Sequence, residues 1–510
     1  MKTLATLKPL TDRLLEIQHL RSAADVLSWD QETYMPTGGG DARADQLATL
    51  QTLAHTKLVS PEIEGLLTSW MDPATGEPVR SSDEPWDESS RALLREVWRE
   101  FSRSKKLPSE FVTRLTRECA LAQQIWVEAK QKDDFSLFLP RLQTLVALKR
   151  EETGYLGFTA TRYDALLDYY EPGATVAMLG PLFDTLKARL IPLLERVIAS
   201  PVKVDDGVLY QGYDPARQLE FGRLILTAMG YDFEHGRLDL SAHPFTTSFH
   251  PTDVRVTTRV YEHEFPVCLF SCVHEGGHGL YDQGLDANRY GTPLGEALSL
   301  GIHESQSRLW ENCVGRSRPF WRCFYPMLRQ TFPDQLSDIS PDQFYAAINR
   351  IKPSLIRVEA DELTYNLHIM LRFEIEQDLI EGRLRVEDLP AIWNEKMKSY
   401  LDVVPERNSD GVLQDVHWSM GAFGYFPTYT LGNLYSVQFY DQACMEIPNL
   451  EMEIESGRLT ILTRWLNQKI HRWGKTFTTE HLIQRVTGKP LSPEPFLSYL
   501  EKKYGELYRL

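Results

Sequence analysis

One stretch decides how this 510-residue chain is interpreted: Val273-His274-Glu275-Gly276-Gly277-His278-Gly279. It contains the pattern His-Glu-x-x-His. On a helix, residues four apart project from the same face, so both imidazoles can reach one Zn²⁺-like ion. Glu275 lies beside them and can accept a proton from a water molecule activated there. The pattern predicts a metallopeptidase site, and the alternative is a structural helix with two unrelated histidines.

The two glycines inside this pattern support the first interpretation. Gly276 and Gly277 each cost about 1 kcal/mol relative to alanine in a helix interior. Glycine is favoured where bulk is excluded, for example where another backbone or a substrate passes close by. We therefore expect a close neighbour on this face of the helix.

Composition and charge narrow the class of protein. Hydrophobic residues make up 42% of the chain and charged residues 25%, which is typical of a soluble globular protein. The net charge of −16 disfavours binding to nucleic acid or to an anionic membrane. No apolar run is long enough to span a bilayer, and Met1–Leu20 lacks the apolar core of a secretory signal. Because the six cysteines are scattered, as in a reducing compartment, we expect a cytoplasmic protein.

Helical periodicity covers most of the chain and predicts a mainly α fold. The longest predicted helix runs from Ser354 to Ile380 without proline or glycine, and another covers Glu296–Asn312. The alternating, β-branched segment Asp253–Glu262 predicts a strand, which can form a hairpin with Pro244–His250. The polar segment Asp72–Ser90 contains three prolines and is typical of a loop. We expect a helical body with one small sheet beside the metal helix.

The two histidines need a third protein ligand. A carboxylate from a second helix is the usual solution, with an open position left for water. The helix predicted over Glu296–Asn312 carries three candidates, Glu296, Glu304 and Glu311. Sequence spacing alone does not choose among them.

Six short motifs, in order along the chain, resemble those of the thermostable carboxypeptidase family of metallopeptidases, also called the Taq carboxypeptidase family. They are His243-Pro244-Phe245, Asp253-x-Arg255-x-Thr257, His274-Glu275-x-x-His278, His303-Glu304-Ser305-Gln306, Ile356-Arg357-x-x-Ala360-Asp361 and Gly411-x-x-Gln414-Asp415-x-His417-Trp418. Trp29-Asp30-Gln31-Glu32 and Met35-Pro36 are also similar to the family, so the resemblance spans nearly the whole chain.

The resemblance implies a third ligand and an architecture. By this resemblance, Glu304 is expected to be the third metal ligand beside His274 and His278. The expected fold is a large gluzincin-like helical body with a long central groove and the metal at its floor. Residues 1–510 then form one catalytic domain, with two subdomains flanking the groove as an allowed division. The resemblance further implies a homodimer that removes single residues from the C-termini of peptides.

The expected substrate contacts follow from the same motifs. Arg357 suits a free α-carboxylate, because its planar fork binds a carboxylate bidentately. Its alternative is an i,i+4 ion pair with Asp361 on one helix. His417 is a second candidate, and the alternative for it is an interior histidine beside Trp418. His243 and Arg255 are weaker candidates for substrate contact or for orienting the site.

The catalytic assignments are Glu275 as general base and a tyrosine as donor to the oxyanion. Tyr425 and Tyr429 lie in Gly424-Tyr425-Phe426-Pro427-Thr428-Tyr429 and are not separated by the sequence. One divalent cation per chain is expected, with Zn²⁺ preferred and Co²⁺ or Mn²⁺ compatible with the same ligands.

The predicted function is a broad-specificity metallocarboxypeptidase. Two alternatives remain open: a metallo-oligopeptidase that cuts internal bonds or releases dipeptides, and a non-catalytic metal-containing protein that binds peptides. The general base Glu275 argues against the second, because a site that only held metal would not need it.

Overall fold

The computed structural model describes residues 2–79 and 86–510. Helices dominate these ranges, which confirms the mainly α fold. Nine α-helices precede the strands: α1 (Lys8–Thr33), α2 (Gly40–Leu58), α3 (Pro61–Trp70), α4 (Glu88–Lys106), α5 (Ser109–Lys132), α6 (Phe135–Leu156), α7 (Arg162–Tyr170), α8 (Val176–Ala199) and α9 (Pro215–Met229). The strands are β1 (Gly236–Leu240), β2 (Thr246–His250) and β3 (Asp253–Thr258).

The helices after the sheet carry most of the predicted site. They are α10 (Phe265–Gln283), α11 (Leu300–Arg308), α12 (Arg318–Thr331), α13 (Pro333–Leu336), α14 (Pro341–Ile348), α15 (Tyr365–Glu381), α16 (Leu389–Leu401), α17 (Pro427–Glu446), α18 (Leu450–Glu455), α19 (Thr460–Lys469), α20 (Thr479–Thr487) and α21 (Glu494–Tyr508). A π-helical turn, Leu309–Val314, continues α11 directly. None of the helices in the two described ranges has the length and apolar character needed to cross a bilayer.

The small sheet has the order β1–β3–β2. β3 pairs antiparallel with β2, as the predicted hairpin requires, and parallel with β1, which the sequence analysis did not predict. The predicted strand over Asp253–Glu262 is confirmed as far as Thr258. The sheet packs on α10 through β2 and β3, so it lies beside the metal helix as expected.

The chain divides into two compact units. The first contains Met1–Lys105, Asp205–Ile348 and Phe439–Pro490, and the second contains Lys106–Val204, Asn349–Gln438 and Leu491–Leu510. The first unit holds the sheet, α10 and α11, whereas the second holds α15 and the segment before α17. The single catalytic domain over residues 1–510 and the central groove stay predictions.

Three boundaries differ from the predicted ones. No regular helix covers Ser354–Thr364 apart from one 3₁₀ turn, Arg357–Glu359, so the helix predicted from Ser354 begins instead at Tyr365. The helix predicted from Glu296 begins at Leu300, where the Ser299 side chain caps the backbone N–H of Ile302. The predicted loop Asp72–Ser90 is wrong at its end, because α4 starts at Glu88; its residues 80–85 lie outside the described ranges.

Candidate metal centre

Helix α10 carries the His-Glu-x-x-His pattern between three close neighbours. A Cβ built on Gly277 would lie 2.6 Å from the Cα of Ser307 and 2.7 Å from the carbonyl oxygen of Gln306, both on α11. A Cβ on Gly276 would overlap the side chain of Leu226 on α9. At Gly277 the neighbours are backbone atoms, so glycine is required there for α11 to approach, whereas at Gly276 the end of the Leu226 side chain would have to shift. The expected close neighbour is thus the backbone of the helix that carries Glu304.

This approach brings three ligating atoms together. The Oε2 atom of Glu304 lies 3.7 Å from His274 Nε2 and 3.4 Å from His278 Nε2. All three ligating atoms lie within 4.8 Å of one another. Hydrogen bonds between such atoms span about 2.7–3.2 Å, so these contacts are too long for that. Ligands about 2.0–2.2 Å from one tetrahedral ion are separated by about 3.4 Å, which matches the observed spacing.

Glu304 is ionised in this arrangement. Burial raises the pKa of its carboxyl group, but the charges of Arg308 and His274 outweigh burial, and the net pKa lies well below the usual value. Arg308 Nε donates to Glu304 Oε1 at 2.7 Å. One carboxylate oxygen therefore bonds Arg308, while Oε2 faces the histidines.

Glu311 fixes the tautomer of His274. The Nδ1 atom of His274 lies 2.9 Å from Glu311 Oε2, so an Nδ1–H group donates to the carboxylate and the Nε2 lone pair faces the cluster. Glu311 lies in the π-helical turn after α11, a structure that often occurs at functional sites. Burial raises the pKa of Glu311, but Arg308 and His274 lower it to about 2 overall. Of the three glutamates left open by the sequence, Glu304 lies with the two histidines in a group that could hold a metal ion, and Glu311 accepts the hydrogen bond from His274.

His278 is held by packing. Its ring stacks on His303 with centroids 4.4 Å apart, and His303 Nε2 lies 3.0 Å from Asp282 Oδ1. The Nδ1 atom of His278 is buried and has no hydrogen-bond partner in the described ranges. His303, which the sequence analysis placed beside the ligand Glu304 in one motif, contacts the other ligand helix.

Glu275 is buried next to the two histidines on α10. Thr246 Oγ1, from β2, lies 2.7 Å from Glu275 Oε2 and 3.0 Å from its backbone oxygen. The small sheet thereby fixes the side chain that the sequence predicts as general base. Thr246 was not among the predicted site residues, and no motif pointed to it.

Arg357 forms a buried ion-pair cluster in the second unit. Its Nε and Nη2 atoms donate to Asp415 Oδ1 at 2.9 and 2.8 Å, and its Nη1 donates to the hydroxyl of Tyr365 at 2.9 Å. Arg372, which the sequence analysis missed, donates to Asp415 Oδ2 at 2.7 Å. The alternative i,i+4 pair with Asp361 on one helix is wrong, because the 3₁₀ turn that holds Arg357 ends at Glu359 and α15 begins only at Tyr365.

Asp361 has a different role. Its carboxylate accepts backbone N–H groups from Lys352, Leu363 and Thr364 at 2.9–3.0 Å. These bonds close the loop on which Arg357 lies, and they compete with helix formation at that point.

The predicted tyrosines and His417 share the surroundings of Arg357. His417 Nε2 lies 3.2 Å from the hydroxyl of Tyr429, whose ring centroid lies 5.0 Å from the Arg357 guanidinium. The ring of Tyr425 lies 5.3 Å from that of Tyr429. Burial, and then the charge of Arg357, lowers the pKa of His417 to about 3, so its imidazole is neutral near pH 7. These side chains line one polar cluster.

Arg255 and His243 occupy less central positions. The Arg255 guanidinium lies 4.3 Å from the ring centroid of Trp29 and donates to both oxygens of Asp253 at 2.9 and 3.0 Å. These contacts fit a role of Arg255 in orienting the site, and they connect α1 with the sheet. His243 is exposed, and its backbone oxygen accepts from Ser241 Oγ at 2.6 Å. Substrate contact by either residue stays a prediction.

Comparison with known proteins gives a consistent match along the chain. The model of a family described as carboxypeptidase Taq (M32) metallopeptidase matches residues 9–504. Thermostable carboxypeptidase 1 of Thermus thermophilus is 44% identical, over 97% of this chain and 98% of that protein. Carboxypeptidase 1 of Bacillus subtilis is 38% identical, over 99% of each. The crystal structure of the M32 carboxypeptidase from Deinococcus radiodurans is 37% identical and covers 99% of this chain and 100% of that one, with a TM-score of 0.94.

Proposed function

Because the chain belongs to the carboxypeptidase Taq (M32) metallopeptidase family and is a metal-dependent carboxypeptidase, we propose that it removes single residues from the free C-termini of peptides with broad specificity. The observation that carries the proposal is the convergence of His274, His278 and Glu304 beside Glu275. The spacing of the three ligating atoms suits one divalent ion, and the general base lies on the same helix.

Those three residues would hold the ion. Two imidazoles and a carboxylate form a ligand set that Zn²⁺ favours, and we propose Zn²⁺, with Co²⁺ or Mn²⁺ as compatible substitutes. Such an ion, when bound, supplies Lewis acidity that lowers the pKa of water and polarises a peptide carbonyl. Glu311 and Arg308 would keep His274 and Glu304 oriented for it.

The proton transfers belong to Glu275. Its carboxylate would accept a proton from the attacking water and deliver it to the nitrogen of the leaving amino acid. Thr246 restrains the carboxylate through its hydroxyl, which limits the side chain to one orientation. Glu275 therefore needs little rearrangement before the proton moves.

A tyrosine hydroxyl would stabilise the negative charge that develops on the scissile carbonyl oxygen. Tyr429 is our first choice, because its hydroxyl is oriented by the 3.2 Å contact with neutral His417. Tyr425 packs against the same ring and remains the second.

Charge supports Arg357 as the group that binds the substrate carboxylate. Arg357 and Arg372 are cationic and both pair with Asp415, while His417 is neutral, so two guanidinium groups share the carboxylate of Asp415. A buried excess charge is unfavourable unless it is paired. The terminal carboxylate of a peptide would supply the missing negative charge, with His417 as a further hydrogen-bond partner.

The test compares two peptides that differ only in a C-terminal carboxylate or carboxamide. The wild-type protein should prefer the carboxylate, and Arg357→Ala should lose about ten- to hundredfold in kcat/KM on that peptide alone, which corresponds to one charged hydrogen bond. Arg385→Ala is the matched control, because Arg385 is an exposed residue whose ion pair is with the neighbouring Asp388. Equal cleavage of both peptides at internal bonds would favour an oligopeptidase, and no cleavage with any metal would favour a binding protein.

Three further assignments complete the proposal. We propose that residues 1–510 act as one catalytic domain, which is supported by a family match that runs through both units. We propose a cytoplasmic protein, in line with its six free cysteines. A homodimer is proposed from the family resemblance, and light scattering after size-exclusion chromatography tests it.

A further inference from the structure

A buried carboxylate on α15, Glu376, binds the two segments that carry the predicted substrate groups. Its exposed fraction is 0%. Trp418 Nε1 donates to Oε1 at 2.8 Å, and the backbone N–H of Gly424 donates to Oε2 at 2.9 Å. Tyr163, from α7, donates its hydroxyl to Oε2 at 2.6 Å. The carboxylate thereby joins three segments of the second unit.

The first two donors are next to the proposed reaction groups in sequence. Trp418 follows His417 in the 3₁₀ turn His417–Met420. Gly424 precedes Tyr425 and lies one turn before Tyr429. Two bonds to one side chain therefore fix both ends of the contact between His417 and Tyr429.

The position of Gly424 allows little adjustment. Its φ angle is +92°, which L-residues rarely adopt, and a Cβ there would lie 2.8 Å from the backbone of Leu166 on α7. Because α7 blocks movement on one side, the hydrogen bond that the Gly424 N–H donates to Glu376 defines where the turn lies.

The charge on Glu376 is unusual for such a position. Trp418, Gly424 and Tyr163 donate from neutral groups, and the charge of Arg372, one turn earlier on α15, also acts on the carboxylate. Tyr163 and Tyr170 on α7 add their hydroxyl groups to the surroundings. Burial raises the pKa of Glu376 to about 7. The hydrogen bonds from Tyr163, Gly424 and Trp418 favour the ionised form and so oppose the effect of burial on this pKa.

Only a carboxylate can accept all three bonds. Each of its oxygens accepts and neither donates. Glutamine would turn its NH₂ group either toward the indole N–H of Trp418 or toward the N–H of Gly424, and two donors would then face each other. Either arrangement must move one of the two segments.

We propose that Glu376 is a positioning residue for the reaction: through Trp418 and Gly424 it holds His417 and Tyr429 in their reactive arrangement. The inference rests on the proposed function of His417 and Tyr429. Glu376 itself need not touch the substrate.

The test compares Glu376→Gln with Tyr163→Phe in the full-length, Zn²⁺-loaded protein. Both changes disturb the hydrogen bonds of the same carboxylate, but Tyr163 lies on α7, outside the segments that carry His417 and Tyr429. Hydrogen exchange of peptides covering residues 411–430 should be at least about tenfold faster in Glu376→Gln and nearly unchanged in Tyr163→Phe. For release of a C-terminal residue, Glu376→Gln should lose about a hundredfold in kcat/KM, the effect of a misplacement of about 1 Å. Tyr163→Phe should lose less than about fivefold.

Two further measurements separate positioning from a loss of stability. The affinity for Zn²⁺ should stay within about threefold in both variants, and melting temperatures show how far each is destabilised. If Glu376→Gln does not fold, Glu376→Asp replaces it, because the charge is kept while the shorter side chain cannot reach all three donors.

Equal effects of the Gln and Phe variants on exchange and on kcat/KM would overturn the inference. An inactive wild-type protein would instead refute the proposed function, and hydrogen exchange would still decide whether Glu376 holds the two segments.

Discussion

Replacing Glu311 by glutamine tests whether the metal centre depends on a residue outside the ligand set. The shortest hydrogen bond of this carboxylate runs from His274 Nδ1 to Oε2, at 2.9 Å. Glutamine keeps an acceptor of the same size but removes the charge. It also removes the anion that faces Arg308 and Arg316, at 3.2 and 3.3 Å.

The size of the effect follows from these contacts. A hydrogen bond to a charged group contributes about 1.5–3 kcal/mol, and a neutral one about 1 kcal/mol. In Glu311→Gln the charged hydrogen bond is replaced by a neutral one, and the imidazole of His274 becomes less basic. Together these changes should weaken Zn²⁺ binding by about ten- to hundredfold. At saturating Zn²⁺ most of the activity should return, because Glu275 and the three ligands are unchanged.

The assay is competition for Zn²⁺ against a chromophoric chelator at neutral pH. Glu296→Gln is the matched control, because Glu296 was an equal candidate by sequence but pairs with Lys475 at 2.5 Å. Its affinity should stay within about threefold of wild type. If the Zn²⁺ affinity of Glu311→Gln also stays within about threefold of wild type, the inference that Glu311 orients His274 for the metal is refuted.

Three further changes have distinct expected outcomes. Gly277→Ala should lower the free energy of unfolding by about 1–3 kcal/mol and weaken Zn²⁺ binding, because the new methyl group meets the backbone of α11. Thermal denaturation and chelator competition measure the two effects. Gly154→Ala is the control, because a Cβ there meets nothing within 4 Å, and it should be neutral or stabilising in both assays. Thr246→Val removes the hydroxyl next to Glu275 and should lower kcat by about tenfold without changing metal affinity; an unchanged kcat would show that the contact is irrelevant to catalysis. Arg255→Gln should lower the melting temperature while KM changes by less than about threefold, whereas a large rise in KM would instead make Arg255 a substrate contact.

Local patterns predicted the metal helix well. The His-Glu-x-x-His spacing and its two glycines lie within one helix, so the geometry of His274 and His278 depends on that helix alone. Glycine is needed at Gly277 because α11 packs there, which the sequence does not show. That glycine is unfavourable inside a helix was, however, visible in the sequence. The hairpin of β2 and β3 was predicted for the same reason, because its pairing is local.

The third ligand was not predictable from spacing. Glu304 and Glu311 are seven residues apart, about two helical turns, so both face the same way on a regular helix. Only the approach of α11 to Gly277, and the π-helical turn after Arg308, separates their roles. The family resemblance implied Glu304, and the structure places its carboxylate next to both histidines; its role as a ligand stays a prediction.

The segment before α15 shows how tertiary contacts override a periodic pattern. The sequence predicted a helix from Ser354, but Asp361 accepts hydrogen bonds from three backbone N–H groups and Arg357 pairs with Asp415. Asp415 is 58 residues away, a separation that no window of sequence covers. For the same reason Arg372 and Glu376 were missed, although both lie in a correctly predicted stretch of helix.

The most direct test of the central claim is timed mass spectrometry of a medium-length peptide incubated with the Zn²⁺-loaded protein, alongside Glu275→Gln. The account predicts a ladder that loses single residues from the C-terminus. The ladder should disappear after chelation, and in the variant kcat should fall by about 10²–10⁴-fold while Zn²⁺ binding is retained. Internal cuts, or equal activity of Glu275→Gln, would contradict the account.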